Sequence, residues 1–495
     1  MTLEFGTDHI YNVDTFNEMR PQSSSTAYLN KAGSKVYEAM IAGDPQAIWL
    51  MQGWLFMDTG FWQPPQIKAL LSSVPQGKMI VLDLASDLEA IYARTESYYG
   101  QPFIWNMLHN FGGTMELYGM IDIINNRPFE GRNMANSTMI GVGLTPEGIF
   151  QNEIMYEFMM ENVWRKEPRN ITQWISEFAV RRYGKYNPLV DKAWQLLKRS
   201  VYNDTISIIH DNSINVFPTQ SPRLIPPVHE TVWYNPKDLY QAWGYMIQAA
   251  SEFTNNKLFL YDLVDVTRNS LQILAINYYV AVTEAYFNQQ TADMALAGEK
   301  LIQVIKDMDT ILASDEHFLF GKWVKSAENL ASIENVIVYI FNARNQVTLW
   351  GPKGEINDYA CKQWAGLVSG YYLPRWQLFL DMLKDSMYNS TGFDQVYFNQ
   401  LVFTRVEQPF QNNAPDFPTT PTGNPVQISK TLYDHYQPDT ESEFFTKLYK
   451  KSMSSPSTFK QYISKRFGID KIQQKDIGKK LNFRNDGKYE VRRLK

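Results

Sequence analysis

A single cysteine, Cys361, occurs in 495 residues. An intrachain disulfide is therefore excluded, and with it the usual mark of a secreted fold, although a secretory route stays open. No run of about eighteen or more apolar residues occurs, so no membrane-spanning helix is expected. The histidines are His9, His109, His210, His229, His317 and His435, and none stands at metal-ligand spacing from another, so no metal site is expected. There is no Gly-x-Ser-x-Gly elbow and no Gly-rich phosphate loop, which removes the serine-hydrolase and nucleotide-binding readings. The opening stretch, Met1 to His9, lacks the charged-then-apolar pattern of a signal peptide. Asn136, Asn170, Asn203 and Asn389 each begin an Asn-x-Ser/Thr acceptor, which permits a secretory location without demanding one. No excess of positive charge exists either. With 47 Lys and Arg against 52 Asp and Glu the net charge is −5, which argues against a nucleic-acid partner.

What is present describes a packed protein. Hydrophobic residues make up 44% and charged residues 20%, enough for a sizeable core. Aromatics reach 14%, with 13 Trp and 29 Tyr, and serve either packing or the stacking of sugar rings. Residues 1–165 alternate strand-like and helix-like segments. Short apolar runs at Ile10 onward, Ala47–Met51, Met79–Leu84, Pro102–Leu108 and Thr138–Leu144 are separated by helical stretches such as Ala27–Ala42 and Gln66–Val74. Near-continuous apolar strands of this kind belong to a parallel sheet covered on both faces. About five strand–helix units are counted, whereas a closed (β/α) barrel has eight. The expectation is an α/β region that is the C-terminal part of a (β/α)8 TIM-type barrel, entered about three units late. The alternative is an open, doubly wound sheet.

From about residue 235 the period becomes helical. Leu260, Leu263, Val264, Thr267, Leu271, Leu274 and Tyr278 share one face, as do Met294, Ala297, Leu301, Val304, Ile305, Met308 and Leu312. The organisation read is a partial barrel over 1–165, a connecting segment over 166–235, an α-helical bundle domain over 236–438, and a polar basic tail over 439–495. Residues 407–427, with many Pro, Asn and Thr, read as a loop.

With metals and nucleophilic serines removed, carboxylates remain as the chemistry. The run Ile10-Tyr11-Asn12-Val13-Asp14-Thr15-Phe16-Asn17-Glu18 reads as a strand ending on a carboxylate. Thr138–Leu144 delivers a second one through Thr145-Pro146-Glu147-Gly148. Each alone is as readily a solvated rim residue. Two on one barrel rim are the minimum equipment of a glycoside hydrolase, and retention of configuration needs them roughly 5–5.5 Å apart. Asn17 is placed to hydrogen-bond a sugar hydroxyl.

Phe5-Gly6-Thr7-Asp8-His9-Ile10-Tyr11 with Asp14-Thr15-Phe16-Asn17-Glu18-Met19 resembles a segment of the lysosomal α-N-acetylglucosaminidase family. The likeness continues in order through Gln52-Gly53-Trp54-Leu55-Phe56, Gln101-Pro102-Phe103-Ile104-Trp105, Met107-Leu108-His109-Asn110-Phe111-Gly112-Gly113, Pro146-Glu147-Gly148-Ile149 with Gln151-Asn152-Glu153, Leu349-Trp350-Gly351-Pro352 and Asp358-Tyr359-Ala360. The resemblance implies a retaining exo-glycosidase that releases terminal α-linked N-acetyl-D-glucosamine from glycans such as heparan sulfate. It implies Glu18 as acid/base and Glu147 as nucleophile. Glu153 is a rival carboxylate, but it sits inside the following helix, where a solvated face is the simpler reading. The resemblance also implies that Asn17, Trp54 and Leu108 line the pocket, and that His210, Trp350, Ile356 and Tyr359 close over the sugar. No metal or organic cofactor is implied; a glycan partner, a homo-oligomer and a lysosomal or secreted location are. The family's N-terminal domain and first barrel strands have no counterpart here, in agreement with the strand count. An open barrel exposes a sheet edge and part of its core, so the chain alone is expected to be insoluble or inactive. The alternative is a truncated relic that binds glycans without turning them over.

Overall fold

The computed structural model describes residues 4, 6–148, 152–205, 217–224, 232–351, 356–413 and 415–441. The chain divides into two compact units, one from Met1–Met107 with Glu130–Leu144, the other from Leu108–Phe129 with Thr145–Tyr449.

In the first unit, β1 (Ile10–Asn12), α1 (Thr26–Gly43), β2 (Ile48–Gln52), α2 (Pro64–Leu71), β3 (Met79–Asp83) and β4 (Phe103–Met107) follow in turn. After α3 (Ile121–Asn133) comes β5 (Met139–Leu144). The 5-stranded sheet runs β1-β2-β3-β4-β5 with every neighbouring pair parallel. A doubly wound sheet reverses its strand order at a switch point. Here chain order and spatial order coincide, as along the wall of a (β/α) barrel, so the open doubly wound alternative falls. Trp49 and Met51, Met79 and Val81, and Phe103, Trp105 and Met107 are all buried, which is why these strands read as apolar runs. Gly33 lets α1 approach α2: a Cβ there would collide with Ser73 and lie 3.0 Å from Leu70 Cδ1. The exposed strand side chains are on the two edges, Ile10 and Asn12 on β1 and Ile140 on β5.

One strand differs from expectation. The strand read from Ile10 to Glu18 stops at Asn12. Phe16 and Asn17 adopt φ of +71° and +40°, and Met19 N–H closes the turn on Phe16 O at 2.6 Å. Glu18 therefore stands, exposed, in the loop after β1 rather than at a strand end.

The second unit is mainly helical: α4 (Glu153–Asn162), α5 (Ile171–Tyr183), α6 (Pro188–Arg199), α7 (Pro236–Ala249), α8 (Lys257–Phe287), α9 (Thr291–Leu312), α10 (Phe320–Leu330) and α11 (Val336–Gln346). A two-stranded antiparallel pair, β6 (Leu349–Trp350) and β7 (Ile356–Asn357), precedes α12 (Leu373–Tyr388), α13 (Gln395–Val402), α14 (Gln408–Asn413) and α15 (Pro425–Glu441). Several starts are set locally. Asn170, Asn187 and Asn256 accept N–H bonds as N-caps, and Pro188 and Pro236 occupy the first turn, where a missing N–H is harmless. Helix α8 is buried around nearly its whole circumference and packs on α9, α7 and α15, so it is the axis of this unit. The α9 stripe read from the sequence is buried, as is the α8 stripe apart from the half-buried Leu260.

The stretch 407–427, expected as a loop, contains α14 and the start of α15. Pro409 and Pro425 sit in the first turns of those helices, where proline starts a helix rather than breaking one. The stretch 166–235, read as connecting, carries α5 and α6. The tail beyond Glu441 lies outside the described residues. Among the described residues no helix is long and apolar enough to cross a membrane.

Candidate active site

Glu147 is reached three residues after β5 ends, through Thr145 and Pro146. Gly148 follows with φ of +70°, and a Cβ there would lie 2.5 Å from Gly112 O. Gly112 and Gly113 each have φ of +61°, and a Cβ on Gly112 would collide with the carbonyl of Tyr359. Only glycine fits such conformations and approaches. Three backbone segments thus meet around one carboxylate. Gly112 N–H donates to Glu147 Oε2 at 3.0 Å, and the Tyr359 hydroxyl donates to the same oxygen at 2.6 Å.

Each of these donors is held in turn. Asp358, buried and with φ of +58°, receives two bonds from the fully buried Arg375, at 3.0 and 2.8 Å. Burial pushes its carboxyl up to about 6 against the pull of Arg375. That pair sets the direction in which Tyr359 leaves the backbone. Trp350 rests edge-on against Tyr359, with ring centroids 5.9 Å apart, and pairs across the β6–β7 ladder with Ile356.

On the Gly112 side, the loop after β4 is clamped at two points. His109 (φ +73°) is buried, and its Nε2 meets Asn152 Nδ2 at 2.8 Å. Because Asn152 Oδ1 accepts Tyr118 N–H, its amide donates to the ring, so Nε2 is the unprotonated nitrogen. Burial lowers this imidazole to about 3, so it stays neutral through the acidic range. Further along, Arg268 on α8 donates to Met115 O at 2.7 Å and to Gln363 Oε1 at 2.6 Å, and Gln272 donates to Glu116 at 3.1 Å.

The family model described as the alpha-N-acetylglucosaminidase (NAGLU) tim-barrel domain matches residues 1–166, and the one for the NAGLU C-terminal domain matches 174–435. This chain belongs to the alpha-N-acetylglucosaminidase family. Human alpha-N-acetylglucosaminidase is 44% identical over 442 residues, 88% of this chain and 58% of the human protein. A family 89 glycoside hydrolase from Clostridium perfringens, solved in complex with PUGNAc, superposes with a TM-score of 0.75 at 25% identity, covering 86% of this chain and 48% of that one. A C. perfringens structure in complex with GlcNAc-alpha-1,4-galactose gives a TM-score of 0.73 over 87% of this chain and 49% of that one; at 23% identity it supports the fold alone. The chain spans about half the length of the relatives it matches.

Within this α-N-acetylglucosaminidase framework the residues singled out from the sequence fall into two groups. Glu147, Tyr359, Trp350 and Ile356 are joined by the contacts above, all inside the helical unit. Leu108 belongs to the same unit, directly after β4, and is 3% exposed, so its side chain is packed rather than open. Asn17, Glu18 and Trp54 belong to the sheet unit. There Arg20 binds Asp58 through two bonds, at 2.7 and 3.2 Å, tying the Glu18 loop to the turn Gly53–Met57 that carries the half-buried Trp54. Asp14, near Glu18, has its carboxyl raised first by burial and then by the Glu18 charge. His210 lies outside the described residues. Glu153 is exposed at the start of α4, 3.6 Å from the nearly buried Arg182, and desolvation raises its carboxyl to about 7. Among the described residues no cluster of His, Cys, Asp and Glu could hold a metal.

The sequence shows Gly112 and Asp358 only as letters of longer motifs, and nothing in it singles out Arg375. The doublet Gly112-Gly113 after a strand is the one local signal. Arg375 meets Asp358 through the fold, at a spacing that no motif encodes.

Proposed function

We propose that the protein is a retaining exo-glycosidase acting on terminal α-linked N-acetyl-D-glucosamine. Glu18 protonates the leaving oxygen while Glu147 attacks the anomeric carbon, giving a covalent glycosyl-enzyme. Glu18 then takes a proton from the water that releases the sugar from Glu147. The observation that carries this reading is the paired donation of Gly112 N–H and Tyr359 O–H to one oxygen of Glu147. Two fixed donors keep a carboxylate in one rotamer, which a displacement at carbon needs and a solvated rim residue does not have. Trp350, Ile356, Trp54 and Asn17 are the proposed sugar contacts; Leu108, whose side chain is packed, contributes through its backbone, and His210 keeps its role on family grounds alone. The name of the human relative supports the substrate class. Heparan sulfate, a lysosomal or secreted location and a homo-oligomeric state are further parts of the proposal, on family grounds.

The test is hydrolysis of a chromogenic α-N-acetylglucosaminide by the purified protein and by its Glu147→Ala variant. Turnover that falls by several orders of magnitude in the variant, with sugar affinity nearly kept, supports the enzyme. Sugar binding without turnover, both in this chain and in the same chain extended upstream, would replace it with the glycan-binding reading.

A further inference from the structure

The Gly112 peptide that donates to Glu147 is gripped from its other side. Lys362 Nζ donates to Gly112 O at 3.2 Å and also to Gly113 O. We infer that Lys362 is a positioning residue for Glu147, acting through the Gly112–Gly113 turn; this rests on Glu147 being the nucleophile.

The physical case begins with the turn. Two consecutive glycines at φ +61° are the most freely rotating residues a chain can place beside a reacting group, and they carry no side chains to hold them. Their two carbonyls converge on one amine, which has three donors to give. The lysine itself is 1% exposed. Its backbone is anchored: Cys361 N–H bonds Asp358 O at 2.9 Å, and the next side chain, Gln363, donates to Phe217 O at 2.7 Å and to Gln272 Oε1 at 2.7 Å. Burial lowers the amine to about 7, so under acidic conditions the charged form makes these bonds, which strengthens them. The segment 358–363 therefore serves Glu147 twice. Tyr359 reaches the carboxylate directly, and Lys362 reaches it through the peptide that supplies the second donor.

The experiment compares Lys362→Met in two backgrounds. In the wild type, kcat should fall about ten- to a hundredfold with KM unchanged or lowered with it, because a charge-assisted grip on the turn is lost. The second background is Glu147→Ala with sodium azide and an activated aryl α-N-acetylglucosaminide. There azide attacks the anomeric carbon, the phenolate leaves, and a glycosyl azide of inverted configuration forms without any carboxylate nucleophile. If Lys362 acts through Glu147, adding Lys362→Met changes this azide-driven rate by less than about twofold. An equal loss in both backgrounds means that Lys362 only supports the fold, and overturns the inference; so does an unchanged kcat in the first. Lys362→Gln, which keeps a shorter donor, is read in the same way should the Met variant fail to fold. A Glu147→Ala protein that retains turnover without azide instead overturns the nucleophile assignment.

Discussion

The hydroxyl of Tyr359 on Glu147 leads to a kinetic signature that can be worked out in advance. Tyr359→Phe removes one donor from Oε2 and leaves the Gly112 N–H in place. A hydrogen bond to a charged group contributes about 1.5–3 kcal/mol. Glu147 is only half-buried, so water can replace part of the loss, and about 2 kcal/mol, or ~30-fold in a rate, is the appropriate size. The step on which it falls is set by where the charge goes. In the first step of the proposed double displacement the carboxylate gives up negative charge to the anomeric carbon, so a donor on it favours the ground state over the transition state. In the second step Glu147 is the leaving group and regains that charge, so the same donor favours the transition state. Loss of the hydroxyl should therefore slow release of the sugar and leave its transfer to Glu147 little affected. With a dinitrophenyl glycoside, kcat should fall ~30-fold, KM should fall with it, kcat/KM should move less than about threefold, and a burst of phenolate should appear. An equal fall in kcat and kcat/KM at constant KM would refute the charge argument and leave Tyr359 as an orienting group. An unchanged kcat would refute both.

Two further outcomes concern stability. Asp83 at the end of β3 and Glu116 in the loop after β4 are buried, and burial pushes each carboxyl up to about 7. The folded protein keeps those protons to higher pH than the unfolded chain does, so their stabilisation is complete at low pH and is lost as pH rises through about 7. Thermal melts should give a higher Tm at pH 5 than at pH 7.5, and Asp83→Asn should flatten the difference; a Tm that rises over this range would contradict the sign. Arg375→Met leaves Asp358 buried without its guanidinium and should destabilise the protein by about 3–5 kcal/mol, measured by urea unfolding. A loss below about 1 kcal/mol would mean that Asp358 finds another partner.

The sheet was legible because its middle strands, β2 to β4, are buried or half-buried throughout. Apolar runs such as Met79–Leu84 and Pro102–Leu108 mark β3 and β4 to within a residue or so. The loop after β1 was not, because Thr15-Phe16-Asn17-Glu18 has the composition of a strand, and the left-handed values at Phe16 and Asn17 leave no trace in periodicity. The helices of 408–413 and 425–441 were partly hidden by prolines that in fact stand at helix starts. At the site, the carboxylates and aromatic residues could be named from motif order. Their supports could not. Tyr359 is 212 residues from Glu147, and Lys362 is about 250 from the glycines that it holds.

Those separations say what kind of site this is. A barrel strand end can present a carboxylate by itself, yet the donors described on Glu147 come from elsewhere: from the turn after β4 and from the segment leaving β7. The turn is built of residues that hold no shape alone, and the segment carries the left-handed Asp358 and Cys361, which do not persist without support. Their support is the buried polar set Arg375–Asp358, Arg268–Gln363–Gln272–Glu116 and Lys362, whose members sit on α8, on α12, in the loop after β4 and in the segment after β7. Apolar residues of the same volume would pack those positions as well or better, since buried ion pairs are weak contributors to stability. What apolar residues cannot do is donate to carbonyls and carboxylates in fixed directions. The helical unit therefore spends its buried polar groups where they aim two hydrogen bonds at one oxygen, and a substitution among them should lower kcat even where the melting temperature is unchanged.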